Sequence, residues 1–124
     1  MPLVEEDLSE RILGCCIRVY RTVGPGFLES VYEAAVALEL EKAGLVFERQ
    51  KVVTIFYEEK VVGEHRLDLV VEQRVVVELK ACRGIDDVHL AITRAYLKAA
   101  HCPLGLVVNF AKPTLEIRRV VLTT

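Results

Sequence analysis

The sequence predicts an α/β sandwich around a mixed sheet. Three observations lead there. Apolar residues recur at helical spacing through the N-terminal third, β-branched runs fill the middle, and one further helical stretch sits between the third strand and two more apolar strands. The expected order is α-α-β-β-β-α-β-β.

Leu8, Ile12, Cys15, Cys16, Val19 and Tyr20 recur at three- and four-residue steps behind an acidic first turn, and Gly24-Pro25-Gly26 ends that helix. A second helix is expected from about Leu28 to Ala43, with Leu28, Val31, Ala34, Ala35 and Leu38 as its apolar stripe and Gly44 as its stop. Val52 to Tyr57 is β-branched and aromatic, and Glu58-Glu59-Lys60 reads as a polar turn. Val61 to Val71 forms a second strand with an interruption at Gly63, and Val75 to Ala81 a third. Asp86-Asp87 starts a helix in which Val88, Ala91, Ile92, Ala95, Tyr96 and Ala99 keep helical spacing up to His101. Pro103 follows it, and Leu104 to Phe110 and Ile117 to Leu122 complete the sheet.

A chain of 124 residues has the size of one domain, spanning 1–124, and buries roughly two-thirds of its surface without needing a disulfide or metal staple. Its 52 % hydrophobic fraction and mean hydropathy of +0.33 are high for a small domain, so a second copy is the simplest expected partner. No apolar run reaches the ~18 residues of a membrane span, and the acidic start lacks the regions of a signal peptide. A cytoplasmic location without membrane contact is expected. Sixteen basic and eighteen acidic residues leave a net charge of −2, so nucleic acid is not gripped by bulk charge, and contact with it must be local, transient or metal-bridged. Cys15, Cys16, Cys82 and Cys102 contain no C-x-x-C pair, which argues against zinc and for reduced thiols.

The segment Arg66 to Lys80 carries the chemistry. Side chains alternate faces along a strand, and one local register brings all the apolar positions together: a hairpin centred on Gln73. Val71 then opposes Val75, Leu69 opposes Val77, and Leu67 opposes Leu79. On the other face Asp68 opposes Glu78 and Arg66 opposes Lys80, beside Val70 and Val76. Facing carboxylates repel, and apolar neighbours raise the cost of ionising both. A divalent cation held by both would offset this, and Lys80 and Arg66 offer a second source of positive charge. A plainer reading, a solvated face with cross-strand charge pairs, also accounts for the pattern. The turn Glu72-Gln73-Arg74 has no glycine, although such a loop usually wants one left-handed residue.

The chain resembles the GxxExxY protein family of the PD-(D/E)xK nuclease superfamily. The resemblance rests on Gly26-Phe27-Leu28-Glu29-Ser30-Val31-Tyr32 with Val23-Gly24-Pro25 before it, and on Asp68 with Glu78-Leu79-Lys80. It extends to Tyr57, Arg66-Leu67, Val88-His89, Tyr96-Leu97-Lys98 and Val108-Asn109-Phe110, nearly the whole chain. It implies a restriction-endonuclease-like αβββαβ core with an extra N-terminal helix. It also implies a metal-dependent phosphodiester hydrolase, a DNA nuclease. Carried over to this sequence, Asp68 and Glu78 bind Mg²⁺ or Mn²⁺, with the Leu79 main-chain carbonyl as a further ligand. Glu29 completes the site directly or through a water, and Lys80 orients or activates the attacking water. Relatives carry a Q-x-x-x-Y pattern on the late helix; here Tyr96 stands with Ile92 in the glutamine position.

Arg66, His89 and Tyr96 are weaker candidates for substrate contact. His89 lies in the first turn of the late helix, where a surface or interface role is the plainer reading. Glu29 and Tyr32 also admit a plainer reading, a glutamate favoured by a helix N-terminus and a core tyrosine. Gly24-Pro25-Gly26 matches no phosphate-binding loop pattern and reads as a tight turn. The rival functions are a catalytically inactive nuclease-fold module that binds protein or nucleic acid, and a paired-carboxylate enzyme of another class, such as a glycosidase.

Overall fold

The structure is a computed structural model and describes residues 3–122, so the outermost positions of the expected 1–124 span lie outside the described residues. Helices α1 (Glu6–Val23) and α2 (Glu29–Lys42) precede strands β1 (Phe47–Tyr57), β2 (Lys60–Val71) and β3 (Val75–Lys80). Helix α3 (Asp87–Ala100) leads to β4 (Leu104–Asn109) and β5 (Glu116–Val121). The elements follow the expected order. In space the strands run β1-β2-β3-β4-β5, with β3 and β4 parallel and all other neighbours antiparallel. A parallel pair needs a crossover connection, and α3 supplies it.

The sheet separates two cores. Leu8, Ile12, Cys15, Cys16 and Val19 of α1 and Tyr32, Val36 and Leu40 of α2 pack on Leu69, Val71, Val75, Val77, Leu79, Leu106, Val108 and Phe110. On the opposite face Leu97 of α3 packs with Val53, Leu67, Val70, Val76, Val107 and Val120. Central strands covered on both faces read as unbroken apolar runs, and every residue of β4 is buried. The four cysteines are free, three of them buried.

Two helices present other faces to the core than their spacing suggested. In α2 the buried residues are Tyr32, Glu33, Val36, Ala37 and Leu40, while Leu28 is 76 % and Leu38 60 % exposed. This helix is apolar around most of its circumference, so periodicity does not choose a face. Tyr32 chooses it. Its ring stacks on Phe110 at 4.3 Å, and its hydroxyl donates to the Gly24 carbonyl (2.7 Å) and accepts from the Phe27 N–H (3.2 Å). The tyrosine thereby clamps the turn that delivers Glu29.

In α3 the buried residues are Thr93 and Leu97, and Val88 and Ile92 are exposed. Gly105 on β4 sets this contact. A Cβ there would lie 2.8 Å from Thr93 Cγ2 and 3.3 Å from Leu97 Cδ2. Thr93 cannot swing away cheaply, because its hydroxyl donates to the His89 carbonyl (2.9 Å). Gly105→Ala is therefore expected to cost about 1–3 kcal/mol in urea unfolding. An unchanged midpoint would show that α3 can lift off the sheet.

The β1–β2 and β2–β3 hairpins turn on non-glycine residues with left-handed φ. Glu58 (50°) and Glu59 (66°) form the expected polar turn, and β2 continues past Gly63 with a register shift there rather than a break. Between β2 and β3 two residues are left-handed, not one: Glu72 (53°) and Gln73 (56°). Val46 clips Glu72 in place, with the Glu72 N–H donating to its carbonyl (2.7 Å) and its N–H donating to the Glu72 carboxylate (2.6 Å). This external clip takes over the role of a glycine.

Candidate functional site

Strands β2 and β3 pair as expected at Val71↔Val75, Val70↔Val76 and Leu69↔Val77. There the ladder stops. The further pairs expected from the alternation, Asp68 with Glu78, Leu67 with Leu79 and Arg66 with Lys80, are not formed. Asp68 Oδ2 instead accepts the Leu79 N–H at 2.9 Å, replacing a backbone carbonyl with a carboxylate. The face assignment changes with it. Leu67, expected beside Leu69 and Val71, is buried in the opposite core with Val70 and Val76. The pleat is interrupted at Asp68, so alternation does not carry through that position. Meanwhile β3 stays paired with β4 out to Lys80↔Asn109.

The fork so formed opens a cavity of about 220 Å³ lined by Glu29, His65, Arg66, Asp68, Glu78, Leu79, Lys80 and Tyr96. It unites seven of the sequence candidates and adds His65. The His65 ring stacks on Tyr96 at 4.0 Å. Glu29, in the first turn of α2, accepts the Ala81 N–H at 3.4 Å. His89 does not line the cavity. Its Nδ1 accepts the Asp86 N–H (3.1 Å) while the Asp86 carboxylate accepts from Val88 and His89, a capping box at the start of α3. Ile92 is likewise outside the lining. Buried Asn109 holds the loop after β3. Its side chain accepts from the Cys82 N–H (3.1 Å) and donates to the Cys82 carbonyl (2.9 Å).

Glu78 is the electrostatic centre. It is 5 % exposed, and its Oε1 is buried with no hydrogen-bond partner. Burial, then the neighbouring Asp68 carboxylate, pushes its pKa up to about 9, against a smaller opposing pull from Lys80. Tyr96 is pushed up too, by burial and then by Glu78 and Asp68. An orphaned buried carboxylate oxygen beside a second carboxylate is a costly arrangement that a cation would relieve. Among the described residues there is no group of three or more His, Cys, Asp or Glu side chains placed to hold a metal. Two carboxylates completed by main-chain, water and phosphate oxygens is nevertheless the donor set that suits Mg²⁺, so the residues fit a hard divalent cation.

Sequence reasoning missed three side chains here. Glu33 is one helical turn from Glu29, a spacing that could have flagged it. It is buried, accepts from Arg49 Nε (3.1 Å) and from Gln50 Nε2 (2.6 Å), and so brings β1 to the site. Gln50 lies in a polar stretch that was not expected to be strand, since β1 begins at Phe47 rather than Val52. His65 carried no local signal; only the fold brings it to Tyr96.

A five-stranded mixed sheet with two helices on one face and a crossover helix on the other is a restriction-endonuclease-like α/β fold. The model of the PD-(D/E)XK nuclease superfamily matches residues 6–120, and the chain belongs to that superfamily. Nucleases of this superfamily typically employ divalent metal ions. The crystal structure of SSO0001 matches with a TM-score of 0.60 at 16 % identity, over 77 % of this chain and 50 % of that one. That likeness concerns the fold, and this chain spans half the length of that protein. No curated protein matches the sequence. No described helix is long and apolar enough to cross a membrane.

Proposed function

We propose that the chain is a divalent-cation-dependent DNA nuclease of the GxxExxY group. The observation that supports this best is the buried, unpartnered Glu78 Oε1 beside Asp68 in a cavity lined by Lys80 and Arg66. Asp68, Glu78 and the Leu79 carbonyl hold Mg²⁺ or Mn²⁺, with Glu29 joining directly or through a water. A cation held by these residues would supply positive charge to a phosphoryl oxygen and make water more acidic there. Lys80 orients the attacking water and balances charge developing on the phosphate. Arg66 and Tyr96 contact the phosphate backbone at the rim. With a net charge of −2, the chain grips DNA at this locality rather than over a broad basic surface.

The same reading takes the chain as one cytoplasmic domain that works as a homodimer. Exposed Val88 and Ile92 on α3 and Phe56 and Val61 near the β1–β2 turn are apolar surface for a second copy. Sedimentation at micromolar concentration should then give twice the chain mass.

The direct test is to incubate the protein with linear and supercoiled DNA and with RNA, with Mn²⁺ or Mg²⁺ and then with a chelator. DNA cleavage that stops on chelation is the expected result. Cleavage of RNA alone would change the substrate. Hydrolysis that survives chelation would overturn the cation, and no cleavage of any substrate would turn the reading to an inactive binding module.

A further inference from the structure

Strand β1 carries an irregularity aimed at the site. Its ladder with β2 runs from Phe47↔Val71 to Arg49↔Leu69 and resumes at Lys51↔Leu67. The facing residues left out are Gln50 and Asp68. Gln50 also has a φ of +50°, in the left-handed region that a non-glycine residue rarely enters within a strand. Its side-chain amide lies between two carboxylates. Nε2 donates to Glu33 Oε1 at 2.6 Å and makes a longer contact of 3.5 Å to Asp68 Oδ1.

We propose that Gln50 is a positioning residue for Asp68, tethering its carboxylate to the buried Glu33 so that it stays turned towards the cavity. The inference rests on the reading of Asp68 as a cation ligand. Asp68 Oδ2 is fixed by the Leu79 N–H, and Oδ1 is approached by the Gln50 amide. Two donors from different strands thus define the plane of one carboxylate. Glu33 is a firm anchor, because it is buried and also accepts from Arg49 Nε. An amide suits this place: it offers two hydrogens to two acidic groups and brings no charge that would compete with a cation. The left-handed backbone is the conformation in which the ladder yields and the amide meets both carboxylates.

The discriminating variant is Gln50→Gly. Glycine adopts positive φ without steric cost, so the backbone is kept while the side chain with its amide is lost. Mn²⁺ binding by calorimetry, metal-free melting temperature and steady-state DNA cleavage are compared for the wild type, Gln50→Gly and Asp68→Ala. In Gln50→Gly the melting temperature should change little, because relief of the left-handed backbone offsets the bond lost to Glu33, while the Mn²⁺ Kd should rise about tenfold or more and kcat should fall with KM for DNA little changed. Asp68→Ala should lose Mn²⁺ binding. Wild-type affinity in Gln50→Gly, with binding lost in Asp68→Ala, would overturn the positioning role alone. A lowered melting temperature in Gln50→Gly would make the residue structural and overturn it as well. No Mn²⁺ binding in the wild type, or equal binding in Asp68→Ala, would remove the cation reading and this inference with it.

Discussion

Lys80→Met should lower the single-turnover rate of DNA cleavage by about 10²–10⁴-fold while leaving Mn²⁺ affinity within about twofold of the wild type. Methionine keeps the length and apolar stem of lysine and removes its charge and donors. Lys80 ends β3 where that strand is still paired to β4 at Asn109, so its backbone does not depend on the side chain. The partner experiment is Asp68→Asn. Asparagine can still accept the Leu79 N–H through its amide oxygen, so the fork between β2 and β3 should persist. It should lose cleavage and cation binding together, because one of the two carboxyl groups of the cavity is gone. Calorimetry and cleavage on the same preparations separate the outcomes. Lys80→Met with wild-type activity would remove lysine from the reaction, and Lys80→Met without Mn²⁺ binding would place its role in holding the site.

The second large effect is on stability. Glu78 has a folded-state pKa of about 9, above the ordinary carboxyl value, for which burial is the first cause and Asp68 the second. Between those two values the metal-free folded protein holds a proton that the unfolded chain has released. Stability from this group is therefore complete below the ordinary carboxyl range and falls as pH rises through about 9. The slope is about 1.4 kcal/mol per pH unit for one proton, on the order of several kcal/mol across the window. Urea unfolding of the chelated protein at mildly acidic, neutral and alkaline pH measures it. Glu78→Gln, which cannot ionise, should flatten the curve and be the more stable protein at alkaline pH. Saturating Mn²⁺ should flatten it in the wild type, because cation binding favours the ionised carboxylate. A wild-type curve that is flat or rises over that interval would contradict the electrostatics assigned to Glu78.

Much of this architecture was legible from the chain. The alternation of Leu69, Val71, Val75 and Val77 was enough to place the β2–β3 register, because a one-residue slip would have exposed every one of them. It failed two residues further on. Leu67 crosses to the other core at the point where Asp68 leaves the ladder, and a carboxylate replacing a carbonyl is a tertiary event with no period of its own. Helix faces were read less well than helix positions. In α2 and α3 the spacing fits two faces, and the choice was made by Tyr32 stacking on Phe110 and by the close approach that Gly105 permits. Asp68, Glu78, Lys80 and Glu29 were recognised as candidates, and they meet in one cavity. Gln50 and His65 were not, since their places depend on strands brought together by the fold rather than on any neighbour in sequence.

The bond from the Leu79 N–H to Asp68 has one more consequence. A main-chain proton held by a carboxylate resonates at a frequency that follows the charge and angle of that carboxylate. The Leu79 amide is thus a built-in spectator of the site: it sits buried on the central strand β3, needs no label beyond ¹⁵N, and touches the group that matters. Titrating cation, acid or oligonucleotide into the protein and watching this single cross-peak would follow each change at Asp68 from the protein's own backbone.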